Sequence, residues 1–590
     1  MRLAFDIETD GLCRDLTVIH CLVTQDLDTG QVTRFDDSGK NHETITTGLT
    51  SLMVADEIWG HNVIGFDQEA IIELYPFWEF KGKIYDTLIL SRLFFTDMLS
   101  RDFRSKPALM PGNLYGRHSL EAWGHRLGVH KSEYGKSLKN DWSTYTPEML
   151  EYCVQDVAVS VELIKMFEPK LEQYKECIEL EHEVAKIMSW QERKGFPFDI
   201  NKAHKLEGKL RTELDQLSDD MRSTFNFVDG GSFTPKRPNK TKGYHAGCEF
   251  SRLKEFNPTS RQHIAWAFKT FRGWEPTEYT NTGIAKIDES VLKDMNTEES
   301  NKFARILELQ KHLGQLSEGK NSWLKKVGSD GRIHHSCVLN TNTGRNAHMG
   351  PNLGNVPSSS EYRELFHCGV GRVQVNSDCM GLELRCLSHY LTRFDGGLFT
   401  KTLLEGDIHQ HLSTIYGTTR QTGKSVTYAL IYGGGNTKLG LTAGASKGDA
   451  AKKGKEIRTK VLEGLEGFKS LTEAVTHRAE STGILKGLDG RPIRIQGKIH
   501  ASLNYLLQSS GAIITKKWLL ESYRLMNEAK LDYWPLIYCH DELGVSAHPD
   551  HVEQIEFCLN AAIKNVENAI KFRCPLDVET KHGGTWADVH

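Results

Sequence analysis

Leu536-Ile537-Tyr538-Cys539-His540-Asp541-Glu542-Leu543-Gly544-Val545 reads as two short apolar strands around a polar tip, a hairpin that presents Asp541 and Glu542. Upstream, Val373-Gln374-Val375-Asn376-Ser377-Asp378-Cys379-Met380-Gly381-Leu382-Glu383-Leu384-Arg385 reads as a strand running into a helix, with Asp378 at the junction. Two acids on separate strand ends can clamp a pair of magnesium ions. A metal-bound hydroxyl can then attack the α-phosphate of a nucleoside triphosphate. The two stretches together predict a sheet built to hold a carboxylate–metal centre.

Between them lies a helical stretch, Arg420-Gln421-Thr422-Gly423-Lys424-Ser425-Val426-Thr427-Tyr428-Ala429-Leu430-Ile431-Tyr432-Gly433. Arg420, Lys424, Tyr428 and Tyr432 recur every fourth residue and share one stripe. Taken alone this is an ordinary amphipathic helix with two solvated cations. Beside two acid motifs it is a triphosphate site, with cations near the helix N-terminus and a flat aromatic surface one turn on. Gly423-Lys424-Ser425 imitates the end of a Walker phosphate loop. However, the preceding glycine is Gly417, which leaves one intervening residue too many, and residues 409–416 are too polar for the buried strand that loop follows. Gly433-Gly434-Gly435 follows a helix and is no dinucleotide fingerprint.

A second acid set opens the chain. Asp6 and Glu8 lie two apart on an expected strand, so both point to one face. Acids on an apolar strand are costly unless they bind a cation. Asp67 follows in His61-Asn62-Val63-Ile64-Gly65-Phe66-Asp67, and Tyr152 and Asp156 stand at i and i+4 on an expected helix. An isolated Asp-x-Glu carries little weight, since any single acid can be exposed or capping. The ordered set of four acids and a tyrosine carries more. It can hold two divalent metals and activate a water against a phosphodiester, with Tyr152 positioning the water.

At 590 residues the chain needs several domains. Its 39% hydrophobic and 25% charged content is that of a globular protein. No apolar run reaches the roughly 18 residues of a membrane span, and acids fill the place of a signal peptide's apolar stretch. The expectation is a soluble intracellular protein. The 12 cysteines form no Cys-x-x-Cys pair and no zinc spacing, so disulfide and zinc chemistry are not expected. A net charge of −4 requires any nucleic-acid contact to be gathered in clefts.

Residues 3–7, 18–24 and 57–60 read as strands and 147–190 as helices, a mixed α/β domain ending near residue 175. Long helical patterns run over 178–225 and 297–327. Between these, residues 229–255 are rich in Gly, Pro and Lys, with Lys236, Arg237, Lys240, Lys242, Arg252 and Lys254 against Glu249. That composition suits a mobile loop, either a solvated excursion or a contact with DNA or a partner.

The N-terminal set resembles the 3′→5′ proofreading exonucleases. The three later motifs, in this order, resemble those of family A DNA polymerases. The whole chain is similar to the replicative members found in short-tailed (podovirus) bacteriophages. Further agreement lies in His118-Ser119-Leu120-Glu121-Ala122-Trp123-Gly124, Thr343-Gly344-Arg345, Gly406-Asp407-Ile408-His409, Gly487-Leu488-Asp489-Gly490-Arg491 and Leu503-Asn504-Tyr505-Leu506-Leu507-Gln508-Ser509. Two departures are Gly354, where bacterial relatives have glutamine, and Cys539, where valine is usual.

The resemblance implies an α/β multidomain protein, an RNase H-like exonuclease domain followed by a right-hand polymerase of palm, fingers and thumb. It assigns 1–175 to the exonuclease, 176–335 to the thumb with its basic loop 229–255, 336–390 and 501–590 to the palm, and 391–500 to the fingers. It implies two Mg²⁺ per active site, with Mn²⁺ able to substitute. Asp6, Glu8, Asp67 and Asp156 would hold one pair of metals. Asp378, Asp541 and the Cys379 carbonyl would hold the other, with Glu542 nearby. Arg420, Lys424 and His409 would grip the triphosphate, Lys424 could protonate the leaving pyrophosphate, and Tyr428 and Glu383 would crowd the sugar 2′ position. A tyrosine at 428 implies tolerance of dideoxynucleotides. Arg345, Asn504 and Gln508 would probe the minor groove at the primer terminus, where contacts test pairing without reading sequence, and Arg491 and His540 would also bind DNA. The implied partners are primer-template DNA and dNTPs, with a phage helicase-primase and a single-stranded DNA-binding protein, in the host cell cytoplasm. Host thioredoxin binds a much longer insertion in a phage relative, and the shortness of loop 229–255 argues against that partner here.

Overall fold

Alternation along the first strand decides the N-terminal layers. In the computed structural model, β1 (Arg2–Thr9) sends Leu3, Phe5 and Ile7 to a core shared with Leu49, Leu52, Val63 and Ile71. It sends Ala4 to the opposite core, against Cys153, Val157 and Ile164 of the helix Pro147–Phe167. The structure describes the chain except residues 13, 14, 40, 41, 130–141, 277, 281, 447 and 498. β2 (Ile19–Asp26), β3 (Val32–Asp36), β4 (Glu57–Gly60) and β5 (Lys83–Asp86) complete a five-stranded sheet in the order β3-β2-β1-β4-β5. β1, β2 and β3 are antiparallel, whereas β4 and β5 run parallel to β1. Each parallel strand is followed by a helix, Asp67–Leu74 and Thr87–Phe94, as crossovers require. This is the expected RNase H-like order.

The helix Lys175–Lys194 belongs to two cores at once, Cys177 and Ile178 to the N-terminal core, Leu180, Val184 and Met188 to the next. It does not run on unbroken to residue 225, as the sequence pattern suggests. Gly195 stops it at φ +62, and a Cβ there would meet the His334 ring at 2.8 Å. A new helix, Ile200–Phe225, packs along Glu298–Leu313 as the thumb.

The palm is a four-stranded antiparallel sheet in the order Tyr533–Cys539, Glu542–Ala547, Val373–Cys379, Val578–Gly583. Its inner face joins Val375, Leu543 and Val545 to Leu387, Trp518 and Leu559 of three covering helices. The fingers include Ile408–Tyr416, Arg420–Ile431 and Ala450–Gly464. The glycine of the false phosphate loop has a packing role here. A Cβ on Gly423 would lie 2.5 Å from the Ser413 Cβ, so glycine lets the first two of these helices touch.

Residues 229–255 are not irregular throughout, because their two ends pair as strands. Phe227–Phe233 pairs antiparallel with Phe250–Glu255, and Gly230-Gly231 sit at a register shift between Asp229 and Ser232. Phe233, Tyr244 and Phe250 cluster with ring centroids 4.9 Å apart across Tyr244, and the Arg252 guanidinium lies 3.9 Å from the Phe233 ring centroid. Glycines that read as loop punctuation make a bulge. The described cysteines are all free thiols, most of them buried. No described helix is long and apolar enough to cross a membrane.

Candidate active sites

In the palm, the hairpin turn brings Asp541 back to Asp378. His540 takes a left-handed φ of +61 to make the turn, and the Cys379 N–H donates to the Asp541 carbonyl at 3.1 Å. Asp378 stands opposite Glu542 in the ladder. Burial, then the charges of Asp541, Glu542 and Glu383, push the Asp378 carboxyl up to about 7. Asp541 is raised by burial and by Glu383. Acids so placed destabilise one another until a cation joins them, and that donor set fits a divalent metal.

Glu542 is held differently. It is 9% exposed and accepts from Trp586 Nε1 at 2.7 Å and from the Asn376 amide. Both donors reach the same oxygen, Oε1, and fix the carboxylate's orientation beside Asp378 and Asp541. The Cys379 thiol is buried in the core, so only its backbone can serve the site.

The fingers helix begins at an N-cap, Thr419, whose side chain accepts from Thr422 N–H. Arg420 and Lys424 are exposed on its first turns, and Arg420 Nε donates to Asp407 at 2.6 Å. Burial, then the charges of Lys424 and Arg420, lower the His409 ring's affinity for a proton. Tyr428 lies between the His409 ring, 6.2 Å away, and the Tyr432 ring, 6.3 Å away. Burial raises its hydroxyl, and the charges of Glu383, Asp541 and Asp378 add to that, so the helix faces the palm acids. Glu383, expected beside Tyr428, instead accepts from Tyr432 Oη at 2.7 Å and Arg345 Nη2 at 3.0 Å. His540 feels the Arg345 charge. Asn504 and Gln508 lie one turn apart and half-buried on Ser502–Glu528.

Arg491 is a correction. Expected among the DNA contacts, it is 3% exposed and ion-paired to Asp489 at 2.6 Å and Glu181 at 2.7 Å. A guanidinium sealed between two buried carboxylates cannot reach a phosphate or a base.

The N-terminal acids also converge. Cys153 Sγ donates to the Asp6 carbonyl at 3.3 Å and contacts its carboxylate at 3.7 Å. Ligand atoms of Asp6, Glu8 and Cys153 lie within 4.8 Å of one another. Asp67 is 4% exposed and Asp156 6%. The Asp67 carboxyl is pushed up to about 7, chiefly by burial, with Asp86 and Asp156 adding to it, although the Ile7 N–H donates to it. A cleft of about 260 Å³ opens beside Glu8, lined by Leu12, Phe66 and Trp142. Trp142 meets the Tyr152 ring edge-on at 6.2 Å. This apolar lining suits an unstacked base, and nothing in the spacing of the acids announced it.

DNA polymerase family A matches residues 241–588, and the DNA-directed DNA polymerase of Escherichia phage T7 is 30% identical over 99% of both chains. The chain belongs to DNA polymerase family A. Enterobacteria phage T3 has a DNA-directed DNA polymerase 30% identical to this family A polymerase over the full length of both. Among solved structures, the POL domain of Pol1 from M. smegmatis, in complex with DNA primer-template and dNTP, shares its fold with a TM-score of 0.75 at 17% identity. That match covers 100% of this chain and 96% of the other. The family is metal-dependent, in keeping with the crowded acids.

Proposed function

We propose that this family A polymerase extends a primer 3′ end by transferring nucleotides from dNTPs, and excises mispaired ends with its N-terminal domain. The proposed bounds are 1–175 for the exonuclease, 176–335 for the thumb, 336–390 and 501–590 for the palm, and 391–500 for the fingers. The observation that carries the reading is the meeting of Asp378 and Asp541 under a helix whose stripe runs from two cations to Tyr428.

Asp378, Asp541 and the Cys379 carbonyl would hold Mg²⁺, which when bound supplies Lewis acidity and charge neutralisation at the transferred phosphoryl group. Arg420, Lys424 and His409 would bind the triphosphate oxygens. Lys424 would protonate the pyrophosphate as it leaves. Tyr428 would stack on the incoming nucleotide, and Glu383, braced by Tyr432 and Arg345, would close the 2′ side of the sugar. Arg345, His540, Asn504 and Gln508 would contact the primer terminus. In the N-terminal centre, Asp6, Glu8, Asp67 and Asp156 would hold the second set of metals and Tyr152 would orient the attacking water. A phage helicase-primase and a single-stranded DNA-binding protein would supply its template.

Asp378→Ala tests both assignments. Primer extension is expected to fall about 1000-fold or more, roughly 4 kcal/mol of transition-state stabilisation, while single-stranded DNA is still digested from its 3′ end. Extension surviving in this variant would refute the palm assignment, and Asp6→Ala degrading single strands at the wild-type rate would refute the exonuclease.

A further inference from the structure

Of the four N-terminal acids, Asp67 alone opens a helix, Asp67–Leu74, directly after a loop, residues 61–66. Within it Asn62 has φ +68, a left-handed conformation that costs a residue with a side chain of order 1 kcal/mol. Asp86 holds that loop. Its carboxylate accepts the N–H of Asn62 at 2.9 Å and of Ile64 at 3.2 Å. The same carboxylate caps the helix Thr87–Phe94 through Leu88 N–H at 2.9 Å and Ile89 N–H at 3.4 Å. The neighbouring Thr87 hydroxyl donates to the Gly60 carbonyl at 3.2 Å and accepts from His61 Nδ1 at 2.8 Å. Asp86 is 1% exposed, and it is the hub on which the chain before Asp67 is folded.

Asp86 is itself anchored from the polymerase side. Its backbone N–H donates to His182 Nε2 at 2.8 Å. An amide can only donate, so Nε2 accepts, and the ring proton sits on Nδ1, which donates to the Ile178 carbonyl at 2.8 Å. The preceding residue of the same helix reaches the other way. Glu181 accepts from Lys516 Nζ at 2.6 Å and pairs with Arg491 at 2.7 Å. Lys516 lies on the helix Ser502–Glu528 that backs the palm sheet. One helix thus ties the exonuclease loop through His182 and the polymerase core through Glu181.

We propose that Asp86 is a positioning residue for Asp67, and that His182 sets Asp86 from the polymerase half, so that excision geometry depends on how the two halves dock. The inference rests on the exonuclease reading of the N-terminal centre. Removing a partner that orients metal ligands costs 10–100-fold in metal affinity or activity in general, and a carboxylate with four backbone donors is such a partner.

The test uses the full chain carrying Asp86→Asn, His182→Leu or His182→Gln. Each digests 5′-labelled single-stranded DNA across a Mg²⁺ titration, and each preparation is also assayed for primer extension. Asp86→Asn is expected to slow digestion about 10–100-fold and to raise the Mg²⁺ concentration for half-maximal rate, with extension within about twofold of wild type. His182→Gln, whose side-chain oxygen can accept the Asp86 N–H, should retain more digestion than His182→Leu, which has no acceptor. Asp86→Asn digesting with the wild-type rate and Mg²⁺ dependence overturns the inference. If Asp86→Asn also loses extension and so fails to fold, the two His182 variants decide, and equal digestion by them overturns it. A wild-type chain that digests nothing overturns the exonuclease reading itself, an outcome read from the unaltered control.

Discussion

Replacing Arg491 with methionine separates a DNA contact from a structural charge. Arg491 and Lys516 face Glu181 and Asp489, four side chains between 0% and 3% exposed, and their charges cancel. Burial alone would push the guanidinium's pKa down, but Glu181 and Asp489 more than reverse it and hold the charge firmly. Burial pushes the Lys516 ammonium down despite its contact with Glu181. Arg491→Met keeps most of the side-chain volume and leaves two buried carboxylates sharing one ammonium. Breaking a buried ion pair by removing one partner costs about 3–5 kcal/mol. At about 2 °C per kcal/mol for a large cooperative unit, the melting temperature should fall by roughly 6–10 °C.

Calorimetry of the Arg491→Met chain measures that fall, and primer extension at 25 °C measures its KM for primer-template. The expected result is a lowered melting temperature with the KM within about twofold of wild type and the same salt dependence, because no phosphate contact is lost. Arg491→Met combined with Asp489→Leu restores charge balance and should recover part of the loss. An unchanged melting temperature together with a raised KM and a salt slope shallower by about one would refute the burial argument and return Arg491 to the DNA.

Two further outcomes follow from the two centres. Without divalent metal the Asp67 carboxyl, near 7 when folded against an ordinary 3.8, keeps a proton that the unfolded chain has released between about pH 4 and pH 7. Stability in EDTA should therefore fall as pH rises through that window, by at most about 4 kcal/mol, and level off above it. Asp378 acts in the same direction, and Mg²⁺ should raise the melting temperature more at pH 8 than at pH 5. A flat profile in EDTA from pH 5 to 8 would count against both acids being crowded. Arg420→Ala should raise the dNTP KM about tenfold, the worth of one charge-assisted contact of about 1.4 kcal/mol, with primer-template affinity unchanged. Steady-state kinetics showing equal dNTP KM values would remove Arg420 from the triphosphate site.

What the sequence made legible has period and proximity in common. Asp6 and Glu8 share a face because strand side chains alternate, and the Arg420–Tyr432 stripe follows from four-residue spacing on a helix. The palm hairpin is legible because both strands and the turn lie within fifteen residues, Tyr533 to Ala547. What was not legible depends on partners far along the chain. Arg491 stands beside motifs that do face the cleft, but its burial is decided by Glu181, 310 positions earlier. Glu383 braces Tyr432 and Arg345, a choice settled only when the fingers helix docks on the palm. Residues 230 and 231 read as loop because a bulge and a turn use the same glycines. Asp86 belongs to no motif in the sequence, and only the fold gives its carboxylate the amides of residues 62 and 64.

The two centres use one electrostatic device in opposite settings. In each, carboxylates crowd one another so that one is held near 7, and a divalent cation would relieve the conflict. Around Asp67 and Asp156, at 4% and 6% exposure, the protein closes in, and the adjoining cleft is lined with Leu12, Phe66 and Trp142. Such a lining suits the unstacked, frayed end of a single strand, the substrate proposed for this centre. Around Asp378, which is exposed to the cleft, the fingers helix contributes the cations Arg420 and Lys424 and the ring of Tyr428. Acid clusters of one kind therefore split into removal and addition by what surrounds them. The helix Lys175–Lys194, packed in both cores, is where the geometry of one can reach the other.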